Sequence, residues 1–163
     1  MSESTVERGA VVAGYDGSDQ ARTAALWAAA EAANRGRVLV VVNVITLPMP
    51  QLPPGPPLQP TELLGLEQIQ REHAERLLAD FSQQAHQTWP SLTVDMRIAI
   101  GQPAQVLRQL AIEAELLVIG SSGRTGLPRM LLGSTAADLA HAVTQPIVVV
   151  RGTPTRCPQR MHE

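Results

Sequence analysis

Short runs of branched apolar residues alternate with longer amphipathic segments along the chain, and this alternation limits the fold more than any other feature. The apolar runs are "AVVAGY", "RVLVVVNVI", "LTVDMRIAI", "ELLVIG" and "QPIVVV". Runs of this length predict strands, and strands separated by helical crossovers pair in parallel. We therefore predict an α/β protein with five strands and four helices. The second run is apolar on both faces, as in a central strand, whereas the third alternates and lies nearer an edge.

The helices begin and end at residues with known capping roles. Ser18 or Asp19 is predicted to cap the first helix, and Gly36 to end it. A second helix is predicted from about Thr61 to Thr88, with one apolar stripe facing the sheet. The stripe consists of Leu66, Ile69, Leu77, Phe81 and Ala85. Residues 46–60 are rich in proline, which predicts an extended surface loop inserted after the second strand.

The 163 residues, 44% of them hydrophobic, fit one domain. We expect this domain over residues 9–151, after a disordered tail over 1–8 and before a C-terminal tail over 152–163. All 13 basic residues are arginine, which excludes P-loop and pyridoxal-phosphate chemistry because both need lysine. Four scattered histidines and the single Cys157 predict no metal site and no internal disulfide.

The charge and hydropathy of the chain also bear on its partners and location. A net charge of -2 gives no positive field that would attract nucleic acid or an anionic membrane surface. The N-terminus lacks the apolar segment of a signal peptide, and no run approaches the roughly 20 apolar residues that span a bilayer. We expect a cytoplasmic protein that binds neither nucleic acid nor membrane.

Glycines and hydroxyl residues follow the fourth strand in "VIGSSGRTGLPRMLLGST". In open parallel sheets, ligands bind outside the carboxyl ends of the strands, where the strand order reverses. Gly120 and Gly123 allow backbone amides to approach a phosphate, and Gly133 precedes a helix whose free N–H groups attract anions. The hydroxyls of Ser121, Ser122, Ser134 and Thr135 can add donors without adding charge. These residues predict a phosphate-binding site.

The spacing Gly120-x-x-Gly123, nine residues, Gly133-Ser134 resembles the ATP-binding signature of the universal stress protein family. The first strand and helix, "VVAGYDGSDQARTAALWAAAEAA", and the closing "QPIVVVR" are also similar to that family. The resemblance implies a Rossmann-like sheet of the adenine nucleotide alpha hydrolase type, ordered 3-2-1-4-5 with helices on both faces. In that order the ends of strands one and four lie side by side.

The resemblance also implies a nucleotide site and a ligand. Asp16 would contact the nucleoside, Val44 would offer its backbone to adenine, and Arg124 could reach the phosphates. The full set of implied nucleotide-binding residues is Gly14, Tyr15, Asp16, Val44, Ile119, Gly120, Ser122, Gly123, Arg124, Gly133, Ser134 and Thr135. Asn43 and Tyr15 depart from the family pattern on the adenine side. The expected ligand is ATP, with any Mg²⁺ carried on its phosphates, and cyclic AMP is the alternative.

The fifth strand predicts an oligomer. An apolar strand at a sheet edge leaves backbone groups unpaired, and a second copy could pair with it. We expect a homodimer through Ile147, Val148, Val149 and Val150, as the family resemblance also implies. The predicted function is regulatory binding of an adenine nucleotide in a stress response, with at most slow ATP hydrolysis. A cyclic AMP receptor, an ATP-using transferase or pyrophosphatase, and a dimeric scaffold without ligand remain alternatives, and regulatory protein partners stay open.

Overall fold

The computed structural model describes residues 7–47, 59–121 and 132–151. It contains a five-stranded parallel sheet in the order β3-β2-β1-β4-β5, which confirms the predicted fold. The strands are β1 Val11–Gly14, β2 Leu39–Ile45, β3 Val94–Ile100, β4 Leu116–Gly120 and β5 Ile147–Val150. The helices are α1 Asp19–Arg35, α2 Pro60–Thr88, α3 Pro103–Ala111 and α4 Ser134–Ala142.

Two apolar cores lie on opposite faces of the sheet, because successive strand residues point to opposite sides. Val11 and Ala13 of β1 pack under α1 and α2, whereas Val12 packs with Leu107 of α3 and Leu139 of α4. Helices therefore cover both faces of the sheet. The two edge strands are β3, as its alternating pattern predicted, and β5.

The caps of α1 follow the prediction closely. Ser18 is the N-cap, and its hydroxyl oxygen accepts a hydrogen bond from the Ala21 amide at 3.2 Å. Gly36 ends the helix in the left-handed conformation, with φ of 63°, which costs glycine little. Seven alanines of α1 are buried, so the helix axis lies close to the sheet. This close approach determines the geometry at the end of β4, described below.

The predicted apolar stripe of α2 is wrong in its first half. Leu66 is 38% exposed and Ile69 is 64% exposed, whereas the buried residues of this helix are Ala74, Leu78, Phe81 and Ala85. The cause is length: 29 residues span about 44 Å at 1.5 Å per residue, but a seven-residue strand spans only about 23 Å. Because the helix descends from the carboxyl end of the sheet, its first half extends past that end.

Several predicted segments fall outside the described residues. These are residues 1–6 of the N-terminal tail, residues 48–58 of the proline-rich loop and residues 152–163 of the C-terminal tail. Arg8 is described, and its guanidinium donates to the Glu113 carboxylate at 3.1 Å. No helix in the described ranges is long and apolar enough to cross a membrane.

Candidate functional site

A cleft of about 670 Å³ opens at the carboxyl ends of the central strands. Its walls come from the ends of β1, β2 and β4, from the start of α4, and from α2 and α3. The chain leads from β1 to its neighbour β2 on one side, whereas β4 is the neighbour of β1 on the other side, so the strand order reverses between β1 and β4. In doubly wound sheets this is where ligands bind.

Every predicted nucleotide-binding residue that the structure describes lines this cleft. They are Gly14, Tyr15, Asp16, Val44, Ile119, Gly120, Gly133, Ser134 and Thr135. Ser122, Gly123 and Arg124 lie outside the described residues. The topology therefore gathers residues from three separate parts of the chain around one space.

The ends of β1 and β2 are joined by a buried side chain. Asn43 is 5% exposed, and its Nδ2 donates to the Tyr15 carbonyl at 2.8 Å. Asn43 was expected to influence the adenine side, and in the structure its amide also fixes the β1 terminus. On the next residue, the Asp16 carboxylate accepts the Ser18 amide proton at 3.0 Å. The turn after β1 is thus held by side chains at the edge of the cleft.

The ring of Tyr15 belongs to the core. It packs against Phe81 with ring centroids 5.2 Å apart and planes inclined by 44°. Burial raises the pKa of the Tyr15 phenol, and nearby Asp16 raises it further, while Arg22 lowers it. The phenol therefore stays neutral at physiological pH and contributes no charge to the cleft.

Gly120 is a point of close approach between β4 and α1. A Cβ at this position would lie 3.0 Å from the Ala21 backbone nitrogen and 3.0 Å from the Gln20 carbonyl carbon. Contacts of 3.0 to 3.4 Å are tighter than nine in ten real Cβ contacts. The structure thus gives Gly120 a packing reason to be glycine, in addition to its predicted role beside a phosphate.

Ser121 connects β4 to the helices on either side of the cleft. It is 6% exposed, and its hydroxyl donates to Gln20 Oε1 at 2.5 Å. Its carbonyl accepts the Gly133 amide proton at 2.7 Å, and its own amide donates to Val150 at 2.9 Å. The prediction that the Ser121 hydroxyl serves as a free donor for a ligand is wrong, because that proton is already used within the fold.

The start of α4 points backbone donors at the cleft. Gly133 is the N-cap, and its carbonyl accepts the Ala137 amide at 2.9 Å as the first helical bond. The amides of Ser134, Thr135 and Ala136 occupy the first turn, where helix geometry provides no acceptor. These donors and the positive end of the helix dipole favour an anion.

Residues of α2 and α3 line the cleft without having been predicted. Ile69, Gln70 and His73 come from the first half of α2, and Leu107 comes from α3. The length of α2 relative to the strands was the available signal, since the surplus turns must extend past the sheet. Asp16 is the one carboxylate and His73 the one imidazole among the described lining residues. The described ranges contain no cluster of side chains that could hold a metal ion.

The fold and the cleft define a doubly wound α/β protein with the N-terminus of α4 at its switch point. Residues 7–151 match the sequence profile of the Universal stress protein family, so the chain belongs to that family. A universal stress protein of Mycolicibacterium smegmatis is 36% identical over 141 residues, covering 86% of this chain and 45% of its own length. The chain spans about half the length of the curated relatives it matches.

Solved structures of the family share the fold. A universal stress protein in complex with cAMP has a TM-score of 0.62 and 23% identity, over 90% of this chain and 98% of its own. A universal stress protein from Archaeoglobus fulgidus in complex with dAMP has a TM-score of 0.57 and 20% identity, over 90% of this chain and all of its own.

Proposed function

We propose that the chain binds an adenine nucleotide in the cleft and acts as a regulatory protein of the stress response rather than as an enzyme. The observation that carries this proposal is the position of the α4 N-terminus, whose first-turn amides face the same cleft as the ends of β1 and β2. That arrangement suits a ligand with phosphates at one end and a hydrogen-bonding base at the other. Complexes of two structural neighbours with cAMP and dAMP support the same ligand class.

ATP is the ligand we propose first. The spacing from Gly120 through Gly123 to Gly133 and Ser134 resembles the family's ATP-binding signature. Asp16 would face the nucleoside, and Val44 would present its backbone to the base. The ribose and phosphates would be held by Gly120, Gly123, Gly133, Ser134 and Thr135, and Arg124 could reach the phosphates. Mg²⁺ would arrive on the phosphates. Cyclic AMP is the second candidate, because a neighbour of the same fold was solved with it.

The cleft provides little for catalysis. Among the described lining residues the possible general bases are Asp16, whose Oδ1 accepts the Ser18 amide, and His73, which comes from α2 and not from the start of α4. General base catalysis of hydrolysis needs a positioned group within hydrogen-bond reach of the attacking water. We therefore propose at most slow ATP hydrolysis, with occupancy of the cleft as the signal.

We propose in addition that the protein forms a homodimer through β5. All four residues of that edge strand, Ile147–Val150, are only partly buried in the single chain. An apolar edge strand presents unpaired backbone groups that a second copy can satisfy.

Titration calorimetry with a pair of variants at the start of α4 tests the nucleotide site. Ser134 is exposed, and Ser134→Asp places a negative charge where phosphate would bind while favouring the helix through its dipole. Ser134→Asn is the neutral control. We expect the native protein and Ser134→Asn to bind Mg-ATP, and Ser134→Asp to lose at least about tenfold in affinity, since one charge repulsion exceeds 1.4 kcal/mol at short range.

Cyclic AMP is titrated in parallel after removal of co-purified nucleotide. Tighter binding of cyclic AMP than of Mg-ATP would make the protein a receptor for that messenger in the same cleft. If neither nucleotide releases heat on binding or competes with a fluorescent analogue, nucleotide binding is contradicted. A dimeric scaffold without a ligand is then the remaining function.

A further inference from the structure

Helix α2 contributes a wall to the cleft that none of the nucleotide-site predictions includes. From Pro60 to His73 this helix has no buried residue, although it is continuous with a half that packs on the sheet. Fourteen residues extend about 21 Å past the packed half. Within this surplus, Ile69, Gln70 and His73 line the cleft, and we call them the α2 wall.

The spacing of the α2 wall places its members on one face of the helix. Gln70 and His73 are three residues apart, and Ile69 and His73 are four apart, which brings their side chains to the same side. Ile69 is 64% exposed, so most of its apolar side chain is available to a ligand in the cleft. A flat, partly apolar ligand would cover Ile69 while leaving polar groups at its edge for Gln70 and His73.

The α2 wall lies at the end of the cleft opposite the anion-binding terminus. Helix α2 packs on β2 and β3, whereas Gly133 at the start of α4 is bonded to Ser121 after β4. Since β2 and β4 lie on either side of β1, their ends are about 10 Å apart. A nucleotide with its phosphates at α4 therefore directs its base toward β2 and the α2 wall.

We propose that the α2 wall determines base specificity, with the Gln70 amide hydrogen-bonded to the polar edge of the purine and Ile69 packed on its face. This inference rests on the proposed function, since it presumes a nucleotide in the cleft. A side-chain amide can both accept from an exocyclic amino group and donate to a ring nitrogen. His73 contributes a second ring-nitrogen contact one turn further along.

A chemical double-mutant cycle tests the proposal on the intact chain. Native protein and Gln70→Leu are each titrated with Mg-ATP and with the Mg-triphosphate of purine riboside, which lacks the 6-amino group. We expect Gln70→Leu to weaken Mg-ATP binding by about 5- to 150-fold, which corresponds to the roughly 1–3 kcal/mol of discrimination that a bidentate contact to a base edge provides. We also expect loss of the amino group to weaken binding to native protein but not to Gln70→Leu.

Controls separate the α2 wall from the rest of the site. Gln83→Leu makes the same substitution at an exposed position of the packed half of α2 and should bind like native protein. Inorganic tripolyphosphate should compete equally at native protein and Gln70→Leu, because it has no base. His73→Leu provides a second wall variant, which should lower Mg-ATP affinity without changing competition by tripolyphosphate.

The possible failures are distinguishable. If native protein binds Mg-ATP but Gln70→Leu binds it equally well, and both respond alike to loss of the amino group, the α2 wall does not read the base and nucleotide binding stands. If native protein binds neither triphosphate, the proposed function fails and this inference fails with it.

Discussion

Replacing Gly120 by alanine should destabilise the fold, and the structure gives the size of the effect. The added Cβ would lie 3.0 to 3.1 Å from three backbone atoms of Gln20 and Ala21, whereas ordinary contacts begin at 3.4 Å. Helix α1 must therefore move from β4 by a few tenths of an ångström, although its packing there depends on fully buried alanines such as Ala24. Overpacking of this kind lowers the free energy of unfolding by about 1–3 kcal/mol. Alanine also reduces the conformational entropy of the unfolded chain, which offsets about 0.4–1 kcal/mol of that loss.

Gly65→Ala is the matched control for that experiment. Gly65 lies within α2, and a Cβ there meets nothing within 4 Å, so the same change should stabilise the protein by up to about 1 kcal/mol. The free energy of unfolding of both variants is measured by urea denaturation. The protein concentration is kept constant, because the midpoint of a dimer depends on it. We expect a net loss of about 1–2 kcal/mol for Gly120→Ala. A Gly120→Ala protein as stable as Gly65→Ala would refute the close approach of α1 and β4.

Three further perturbations give distinct outcomes. Ser18→Ala removes the α1 cap and should cost about 1 kcal/mol in urea denaturation, and an unchanged midpoint would contradict the cap. A hydrogen bond from Arg35 lowers the pKa of Glu115 in the folded state. The ionised Glu115 therefore stabilises the fold above its unfolded-state pKa, and this contribution is lost as the pH falls through the folded-state pKa. Glu115→Gln should make the free energy of unfolding fall less steeply with decreasing pH below about pH 4.5. Val149→Asp should release monomers in analytical ultracentrifugation, whereas Met96→Asp on the opposite edge strand should leave the dimer intact. Equal dimer mass for both would exclude the β5 interface.

The apolar runs predicted the α/β class and the five strands, whereas the strand order followed from the resemblance to the universal stress protein family. The run ending in "NVI" became the interior strand β2, and Ser18 and Gly36 capped α1 as their chemistry indicates. Helical periodicity failed for Ile69, because a regular apolar stripe does not reveal where the sheet beneath it ends. That residue lines the cleft instead of the core.

Part of the site followed from motif spacing, and part depended on tertiary contacts. Asp16 after β1 and Ser134 at the start of α4 were brought to one cleft by the parallel topology. Ser121 and Asn43 have the donors expected of ligand contacts, yet their partners are Gln20 and the Tyr15 carbonyl, both distant in sequence. Sequence spacing cannot reveal such partners, because they depend on how α1 packs against β4 and how β2 pairs with β1.

Nuclear magnetic resonance titration of the isotope-labelled protein with Mg-ATP tests nucleotide binding in the cleft most directly. We expect saturable shifts of the amides from Gly133 to Ala136 and at Asp16 and Val44, with the amides of the distant Arg37 and Glu115 unchanged. Shifts confined to the opposite end of the sheet, or none at millimolar nucleotide, would contradict it.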